Sequence, residues 1–395
     1  MANAMPSRME IVDVEAIVLR TPTRDWRAAD QTHEAALVRV TADDGSFGIG
    51  EAAVSPPVVK AFIDEPTSFS WSRGVSDILA GQDPRDPRAL WTALSEGTVW
   101  TARVGLGRIA LAGVDMALWD LAGKALGVPV WQLLGERRPD PVVPYLTMYS
   151  GPSPLRTTIR NTNELVDRAV ADGFRAAKIE ALTDTAADND EIVELVRAVR
   201  DHAGTDFTLA LDVGYRWPTA DEALECIGRL EQFDLFFVET PFMPELVGEY
   251  RKLTQASPIA IAGAEILTSY AEFGPLLDAG IDIAQSGTCR IGITESDRLA
   301  RRARELGRRF VPYGYVSTLF SVAANIHVAA ANANVPLVEL APAAYYPHMI
   351  MRRELAGPEP IIRDGAFEFP TAPGLGLVLD EDALERYRVW EGLAK

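Results

Sequence analysis

The sequence predicts an α/β protein, a modified (β/α)8 TIM barrel with an N-terminal α+β capping domain that the C-terminal tail completes. From residue 141 to about residue 342, eight short apolar strands alternate with amphipathic helices, as in a barrel of βα units. Before that stretch, strands are followed by a run of helices, which is typical of an α+β domain. We therefore expect the capping domain over residues 1–135, the barrel over 140–356 and the tail, packed on the capping domain, over 357–395.

The first part opens with two runs of strand-like alternation, over 11–19 and 34–42. Asp44 and Gly45 form the turn signal that leads from the second run into a third strand, FGIGEAAV. Helical periodicity follows in SRGVSDILAG, in DPRALWTALSEG and, over a longer stretch, in 103–126, where Gly127 is the stop signal.

The second part contains the eight predicted barrel strands. In chain order they are VVPYLTMY, FRAAKIEAL, FTLALDV, LFFVET, PIAIAGAE, IDIAQSG, RRFVPYG and PLVELAP. Open α/β sheets show the same alternation, so the strand count alone does not decide between the two architectures. In the tail, DGAFEFP and PGLGLVLD indicate a strand and a turn.

Charge and composition restrict the class of partner. The net charge of −18 argues against nucleic acid or an anionic membrane, since both require clustered Lys and Arg. No apolar run reaches the length of a transmembrane helix, and the first twenty residues lack the apolar core of a signal peptide. Cys226 and Cys289 show no disulfide or zinc spacing. We expect a cytoplasmic protein that acts on a small molecule.

Three acids end three successive barrel strands: Asp212, Glu239 and Glu265. In a barrel of this type the residues that end the strands face one shared mouth, where active sites lie. Three converging carboxylates would repel each other unless a hard cation lay among them, and Mg²⁺ prefers carboxylate oxygens. The alternative is that each acid only caps the helix that follows it.

Five further segments carry a family resemblance: RIALAGVDMALWDLAGKALGVPVWQLLGE, GAEILTSYAEF, IGITES, AANIHVAAA and PGLGLVLDEDAL. Together they resemble the mandelate racemase/muconate lactonizing enzyme branch of the enolase superfamily over nearly the whole chain. The resemblance implies Mg²⁺ held by Asp212, Glu239 and Glu265, abstraction of a proton α to a carboxylate, and a homo-oligomer between a dimer and an octamer. Many members of the branch dehydrate sugar acids, and others are racemases, epimerases or cycloisomerases.

The sequence departs from the branch at the positions that usually take the proton. The common Lys-x-Lys pair is here Lys178-Ile179-Glu180, with both outer residues on the inward face of the strand. The positions of the usual Asp-His dyad fall at Gly287 and Tyr313. The Asn that often follows the first metal ligand is Gly214.

Lys178 and Glu180 are therefore the candidate bases. Beside Mg²⁺ and away from water, the pKa of Lys178 could fall towards neutrality, although Lys178 could instead form a structural ion pair with Glu180 or be a metal ligand. Glu180 could accept the proton, and we favour the two acting as a pair. Tyr313 could donate to a departing hydroxyl or could simply pack. Glu339 matches the branch's acid that hydrogen-bonds a substrate carboxylate in its protonated form.

Loops of the capping domain, roughly 21–33 and 53–60, are expected to set specificity. Arg24 and Arg27 could bind a second carboxylate or sugar hydroxyls, and Trp26 could shield the site, although such loop residues are often only solvated.

The four histidines divide into two pairs. His33 and His348 lie in loops that could overhang the mouth, so either could replace the missing dyad histidine. His327 is predicted to be a packed helix residue, and His202 to lie in a helix-to-strand loop on the far face of the barrel.

The leading hypothesis is an Mg²⁺-dependent lyase that dehydrates a hydroxy acid or sugar acid. A racemase, epimerase or cycloisomerase of the same superfamily would share the first step and differ in the fate of the intermediate. A metal-binding barrel without catalysis is the alternative from another class, because it would also explain the altered base positions.

Overall fold

The computed structural model describes residues 8–22, 33–135, 138–151, 153–181, 188–314, 318–346 and 348–389. The predictions for Arg24, Trp26 and Arg27 therefore lie outside the described residues. Within the described ranges, no helix is both long enough and apolar enough to cross a membrane.

The chain begins with a three-stranded antiparallel sheet. Its strands are β1 (Ile11–Arg20), β2 (Glu34–Ala42) and β3 (Phe47–Ala52), in that spatial order. The predicted turn at Asp44 and Gly45 is confirmed, since the Ser46 amide donates to the Asp44 carboxylate at 2.9 Å and Gly45 has a φ of 82°.

Five helices follow this sheet. They are α1 (Pro56–Ile63), α2 (Val75–Leu79), α3 (Pro87–Gly97), α4 (Leu106–Leu126) and α5 (Val130–Leu134). Gly127 ends α4 in the left-handed conformation with a φ of 68°, as predicted. The capping loop predicted over 53–60 is wrong in its second half, because Pro56 begins α1 there, at a helix position that suits proline.

The two glycines of the GIGE motif let α4 lie directly on β3. A Cβ at Gly48 would come within 2.0 Å of the Ala117 carbonyl, and one at Gly50 within 2.0 Å of the Gly113 carbonyl. Because no side chain fits at either position, the motif fixes the distance between sheet and helix. The next residue of the motif, Glu51, is thereby held at the end of β3.

The second part is an eight-stranded parallel sheet with helices between its strands, which confirms the barrel-like prediction. The strands are β4 (Val143–Met148), β5 (Ala176–Glu180), β6 (Thr208–Asp212), β7 (Leu235–Glu239), β8 (Ile261–Gly263), β9 (Ile283–Ser286), β10 (Arg309–Pro312) and β11 (Leu337–Leu340). Their order is β10-β9-β8-β7-β6-β5-β4-β11. Among the described residues no ladder joins β10 to β11, although the Phe310 amide donates to the Asn334 carbonyl at 3.1 Å.

Seven helices connect these strands: α6 (Leu155–Ala171), α7 (Asn189–Ala203), α8 (Ala220–Leu230), α9 (Val247–Ala256), α10 (Gly274–Ala279), α11 (Thr288–Glu305) and α12 (Leu319–Ala331). Asp188, Thr219 and Thr318 cap α7, α8 and α12 through side-chain hydrogen bonds. The α11 helix has a kink at Gly292, with a φ of 78°, where a Cβ would come within 2.6 Å of the Asp115 carboxylate.

After β11 the chain forms α13 (Ile350–Glu354), two pairs of two-residue strands and, in the tail, α14 (Glu381–Tyr387). Arg39 on β2 forms an ion pair with Glu381 at 2.7 Å, and Glu15 on β1 forms one with Arg388 at 2.7 Å. These contacts join the tail to the first sheet. The division into three parts with limits at 135, 140 and 356 stays a prediction.

Five buried acids lie where the first part of the chain meets the barrel and the tail, and we call this set the seam: Glu51, Asp115, Asp120, Glu295 and Asp297. Each accepts at least two hydrogen bonds from residues of other elements. Glu51 accepts from the backbone N–H and the hydroxyl of Thr318, at 3.0 and 2.8 Å, and from the Ser321 hydroxyl at 2.6 Å. It therefore ties β3 to the first turn of α12.

The other seam acids are equally well supplied with donors. Asp115 accepts from the Thr294 amide and hydroxyl, at 2.8 and 2.6 Å. Asp120 accepts from the Lys124 ammonium at 2.7 Å and from the Ile49 and Leu375 amides, at 3.0 and 2.8 Å.

On α11, two seam acids receive charged donors. Glu295 pairs with Arg108, and Asp297 accepts from Arg88 and Arg301, each at 2.9 Å. Much of the long motif in 108–136 is thus explained by this contact between α4 and α11.

Candidate active site

The carboxyl-terminal ends of the barrel strands form a polar layer, which we call the mouth. Most of its side chains come from alternate residues of successive strands, one or two steps beyond an apolar layer, and Glu265 lies two residues beyond the end of β8. The apolar layer contains Tyr145, Ala176, Ala210, Phe237, Ala262, Ile283, Val311 and Leu337. The mouth contains Thr147, Lys178, Glu180, Asp212, Glu239, Glu265, Gln285, Tyr313 and Glu339. The predicted metal ligands and candidate bases are therefore brought to the same end of the sheet.

Lys178 is at the centre of the mouth, with 2% of its surface exposed. Its ammonium is 2.8 Å from a Glu239 oxygen, 3.4 Å from a Glu339 oxygen and 3.7 Å from an Asp212 oxygen. It forms no ion pair with Glu180 among the described residues, so a structural Lys178–Glu180 pair is wrong.

The pKa of Lys178 reflects the carboxylates around it. Burial by itself lowers the pKa of this ammonium, but Glu239, Glu339 and Asp212 outweigh it and hold the pKa well above its ordinary value. The fall of this pKa towards neutrality, expected with Mg²⁺ beside the ammonium, stays a prediction.

Asp212 is fixed by the backbone that follows it. Its Oδ1 accepts from the Gly214 amide at 2.9 Å and from the Thr240 hydroxyl at 2.5 Å. Gly214, where the branch often has Asn, thus contributes its backbone N–H, and Thr240 joins the ends of β6 and β7.

Left-handed backbone accompanies all three predicted ligands. The described residues include five non-glycine residues with positive φ, and three of them are near these acids: Tyr215 follows Asp212, Thr240 follows Glu239 and Ala264 precedes Glu265, with φ values of 61°, 51° and 80°. Such conformations cost roughly 1–3 kcal/mol each and concentrate at functional sites, where the surrounding structure enforces them.

Among the described residues, Glu265 accepts one hydrogen bond, from the Tyr215 hydroxyl at 3.3 Å. Burial and the neighbouring Asp212 raise the pKa of Glu265 to about 7, although Lys178 opposes the rise. This carboxylate therefore lies among like charges with little hydrogen bonding to offset them.

Glu180 is half-buried, and its carboxylate forms no hydrogen bond or ion pair with the described residues. Burial raises the pKa of Glu180 to about 8; Lys178 lowers it and Asp212 raises it further. Among the mouth acids, Glu180 is thus the one whose oxygens are available to another molecule.

Glu339 ends β11, as predicted, with 1% of its surface exposed. Its oxygens accept from the Thr147 hydroxyl and, at 2.6 Å, from the Gly314 amide. The buried Arg352 donates to the Gly314 and Ala341 carbonyls and so holds the two strand ends around Glu339.

Sequence reasoning missed Gln285 and Thr147. Gln285 is buried on β9, and its Nε2 donates to Glu239 at 2.7 Å, while its Oε1 has no partner. Both residues are inward by strand alternation from Ile283 and Tyr145, a signal that was present in the sequence but was not used.

Gly287 and Tyr313 occupy the usual dyad positions. A Cβ at Gly287 would come within 2.9 Å of the Tyr313 carbonyl and 3.1 Å of the Cys289 sulfur, so a larger side chain would not fit this backbone. Burial raises the pKa of the Tyr313 hydroxyl well above its ordinary value, and Glu265 adds to the effect. Tyr313 therefore keeps its proton at neutral pH.

The histidines are placed as follows. The His348 ring is 5.9 Å from the Tyr346 ring, and the Tyr346 hydroxyl donates to the Thr147 carbonyl, so His348 lies two contacts from the mouth. The His33 carbonyl accepts from the Thr21 amide. His327 is buried, as predicted, and its Nδ1 accepts from a backbone N–H at 3.1 Å.

His202 lies in the last turn of α7 rather than in a loop, 2.7 Å from Asp167. The loop prediction is wrong because the helical pattern continues to Ala203, where Gly204 ends it.

The residues of the mouth suit a divalent cation by charge and by chemistry. Five carboxylates, Asp212, Glu239, Glu265, Glu180 and Glu339, share one lysine, and three of them have raised pKa values through burial and mutual repulsion. Among the described residues, however, no three His, Cys, Asp or Glu side chains are grouped as a metal site as they stand. The Lys178 ammonium lies against Glu239 instead. The Mg²⁺ ligand set stays a prediction.

Two family models match the chain. Residues 8–135 match the mandelate racemase / muconate lactonizing enzyme N-terminal domain, and residues 161–383 match the enolase C-terminal domain-like model.

Individual relatives cover most of the chain. It is 30% identical to a D-galactarolactone cycloisomerase of Agrobacterium fabrum over 89% of this chain and 91% of that protein. It is 29% identical to a D-gluconate dehydratase of Thermoproteus tenax over 96% of this chain and 74% of that one. A solved racemase from Streptomyces coelicolor A3(2) with bound magnesium superposes with a TM-score of 0.80 at 26% identity, covering 96% and 100% of the two chains.

Proposed function

The chain belongs to the mandelate racemase / muconate lactonizing enzyme family of the enolase superfamily and is an enzyme of the lyase or isomerase type, and on that premise we propose that it removes the α-proton of a hydroxylated carboxylic acid and then expels water. The observation that carries the proposal is Glu180, a half-buried carboxylate without a partner among the described residues, beside an acid cluster that holds a lysine. A non-catalytic barrel does not accord with this membership.

Asp212, Glu239 and Glu265 would hold Mg²⁺. When bound there, Mg²⁺ supplies positive charge to the substrate carboxylate, whose negative charge increases as the α-proton leaves. The left-handed residues beside each acid and the Thr240–Asp212 hydrogen bond support this assignment, because they fix where the carboxylates point.

Glu180 receives the proton in this proposal. A base must offer a free oxygen to the substrate, and the Glu180 oxygens have no donor among the described residues. The Lys178 ammonium contacts Glu239, Glu339 and Asp212, at 2.8, 3.4 and 3.7 Å. We assign it instead to electrostatic stabilisation of the substrate carboxylate, with Glu339 and its Thr147 contact fixing its position.

Tyr313 supplies the proton for the departing hydroxyl. Its buried hydroxyl stays protonated at neutral pH, as a general acid requires, and it follows β10 at the mouth. A racemase that uses a base on each face would need a second base near Gly287, and the contacts around that residue leave no space for one.

Cycloisomerisation is the second candidate, favoured by the identity of 30% to the Agrobacterium fabrum enzyme. It would share the Glu180 step and differ in the leaving group, a ring oxygen in place of water. The two are separated by the product, because dehydration lowers the mass by one water and isomerisation keeps it.

The test is exchange of the substrate α-proton in D2O with Mg²⁺, measured by NMR over a library of aldonic, aldaric and lactone acids. We expect exchange or turnover with at least one acid, and its disappearance when Mg²⁺ is chelated. No exchange and no turnover with any acid in the library would contradict the proposal.

A further inference from the structure

Arg290 is a cation at the mouth that the proposed chemistry does not use. It lies in the first turn of α11, directly after β9 and Gly287. Its side chain is half-buried, and it forms no hydrogen bond, ion pair or ring contact with any other residue that the structure describes. A half-buried guanidinium without a partner is uncommon, since charged groups that leave water are normally paired.

Four other arginines on or near α11 each have a partner. Arg88 and Arg301 pair with Asp297, and Arg108 pairs with Glu295. Arg298 lies over the Tyr270 ring at 3.9 Å. Arg290 differs from these four arginines because, among the described residues, its five N–H donors are available to another molecule.

The position of Arg290 faces the candidate metal ligands. Strand β9 pairs in parallel with β8, which leads to Glu265, and neighbouring strands lie only about 4.8 Å apart. On its other side β9 pairs in parallel with β10, which leads to Tyr313. Arg290 therefore follows the strand that lies between those leading to Glu265 and Tyr313.

The capping part of the chain reaches the same place. The Ala53 amide, at the end of β3, donates to the carbonyl of Cys289 at 2.9 Å, one residue before Arg290. Thr288, on the other side of Cys289, is held by the Asn325 side chain at 3.1 Å. The backbone that carries Arg290 is therefore fixed between the capping segment and the barrel, beside the entrance to the mouth.

We propose that Arg290 binds a second anionic group of the substrate, a carboxylate at the far end of the hydroxylated chain, so that the preferred substrates are dicarboxylic hydroxy acids. A planar guanidinium with free donors matches a carboxylate in two parallel hydrogen bonds. The acid-rich mouth repels a dianion in the absence of such a cation. This inference deepens the proposed function and rests on it for the orientation of the substrate.

The experiment compares acids that differ only at the far carbon: galactarate with galactonate and glucarate with gluconate, each with Mg²⁺. Binding is measured by calorimetry and turnover by kcat/KM, for the wild type, Arg290→Met and Arg290→Lys. We expect Arg290→Met to weaken the diacids at least tenfold and the monoacids less than threefold, with Arg290→Lys in between. Arg302→Met, on the last turn of the same helix, is the control and should change neither.

The outcomes separate the inference from the function on which it rests. Equal losses for diacids and monoacids in Arg290→Met, or no loss for either, overturn the role of Arg290 even if α-proton exchange persists. A selective loss of diacid binding without exchange by any acid overturns the proposed reaction and leaves Arg290 as an anion-binding residue. Correct folding of each variant is checked by its circular dichroism and melting temperature.

Discussion

The acids of the seam and two acids of the mouth have different surroundings. In the seam, Glu51, Asp115 and Asp120 each accept two or more hydrogen bonds at 3.0 Å or less. At the mouth, Glu180 accepts none from the described residues, and Glu265 accepts one long bond from Tyr215. The seam acids are fully buried, whereas Glu180 and Glu265 are half-buried, and the two sets differ most in the supply of donors.

The difference separates structural from functional charge. A buried carboxylate with enough donors stabilises the contact on which it lies, whereas one without them destabilises the fold until a ligand, a cation or a proton arrives. The seam acids join β3 and α4 to α11, α12 and the tail. The mouth acids crowd around Lys178, which is the arrangement expected of a site that keeps its binding energy for other molecules.

The largest loss of activity is expected from Glu180→Gln at the mouth. Removing the proton acceptor should lower α-proton exchange and turnover by about 10³–10⁴-fold, measured by NMR and steady-state kinetics. Because the variant also removes a like charge, its melting temperature should be equal to or above that of the wild type in the absence of metal.

Lys178→Ala serves as the comparison for this variant. If turnover survives both substitutions, the assignment of the base is wrong, and His33 and His348 become the residues to test.

Glu51→Ala should lower the stability of the fold and leave activity largely unchanged, the opposite of Glu180→Gln. It leaves the Thr318 amide and the Thr318 and Ser321 hydroxyls buried without an acceptor, so we expect the free energy of unfolding to fall by about 4 kcal/mol. At a temperature where the variant remains folded, kcat should stay within about threefold of the wild type. Denaturant unfolding and kinetics together check this, and a loss of activity without a loss of stability would contradict a purely structural role.

A smaller, pH-dependent change in the free energy of unfolding is expected from a substitution at Asp115. Burial raises the pKa of Asp115 to about 7, against the lowering effect of the Thr294 hydrogen bonds. A folded-state pKa above the unfolded value gives stability that is complete below about pH 4 and is lost as the pH rises through 7. As the pH rises from 4 to 8, the free energy of unfolding of Asp115→Asn should therefore increase, relative to that of the wild type, by on the order of 2–4 kcal/mol.

Paired denaturant titrations at several pH values measure this difference. A constant difference between the two proteins across the range would show that Asp115 is already ionised in the fold.

Much of the site was predictable from strand alternation and strand ends. Asp212, Glu239 and Glu339 were found because each ends an apolar strand, and the barrel brings all strand ends together. Lys178 and Glu180 were found through their spacing in one strand.

What the sequence did not reveal is which donor reaches which acid. The ion pairs of Lys178 with Glu239 and Glu339 join strands far apart in the chain, so no local pattern reports them. The sequence could not predict that Arg290 has no partner among the described residues, because this depends on every element that packs around it. Left-handed residues such as Tyr215 and Ala264 also have no signal in the sequence, since their conformation is imposed by the surrounding structure.

The difference between the mouth acids and the seam acids is tested most directly by calorimetric titration of the metal-free protein with Mg²⁺. We predict one ion per chain, at least a hundredfold weaker binding in Asp212→Asn, Glu239→Gln and Glu265→Gln, and unchanged binding in the seam variant Asp120→Asn. Mg²⁺ binding that is equal in the wild type and all three mouth variants would contradict the assignment of the mouth as the metal site.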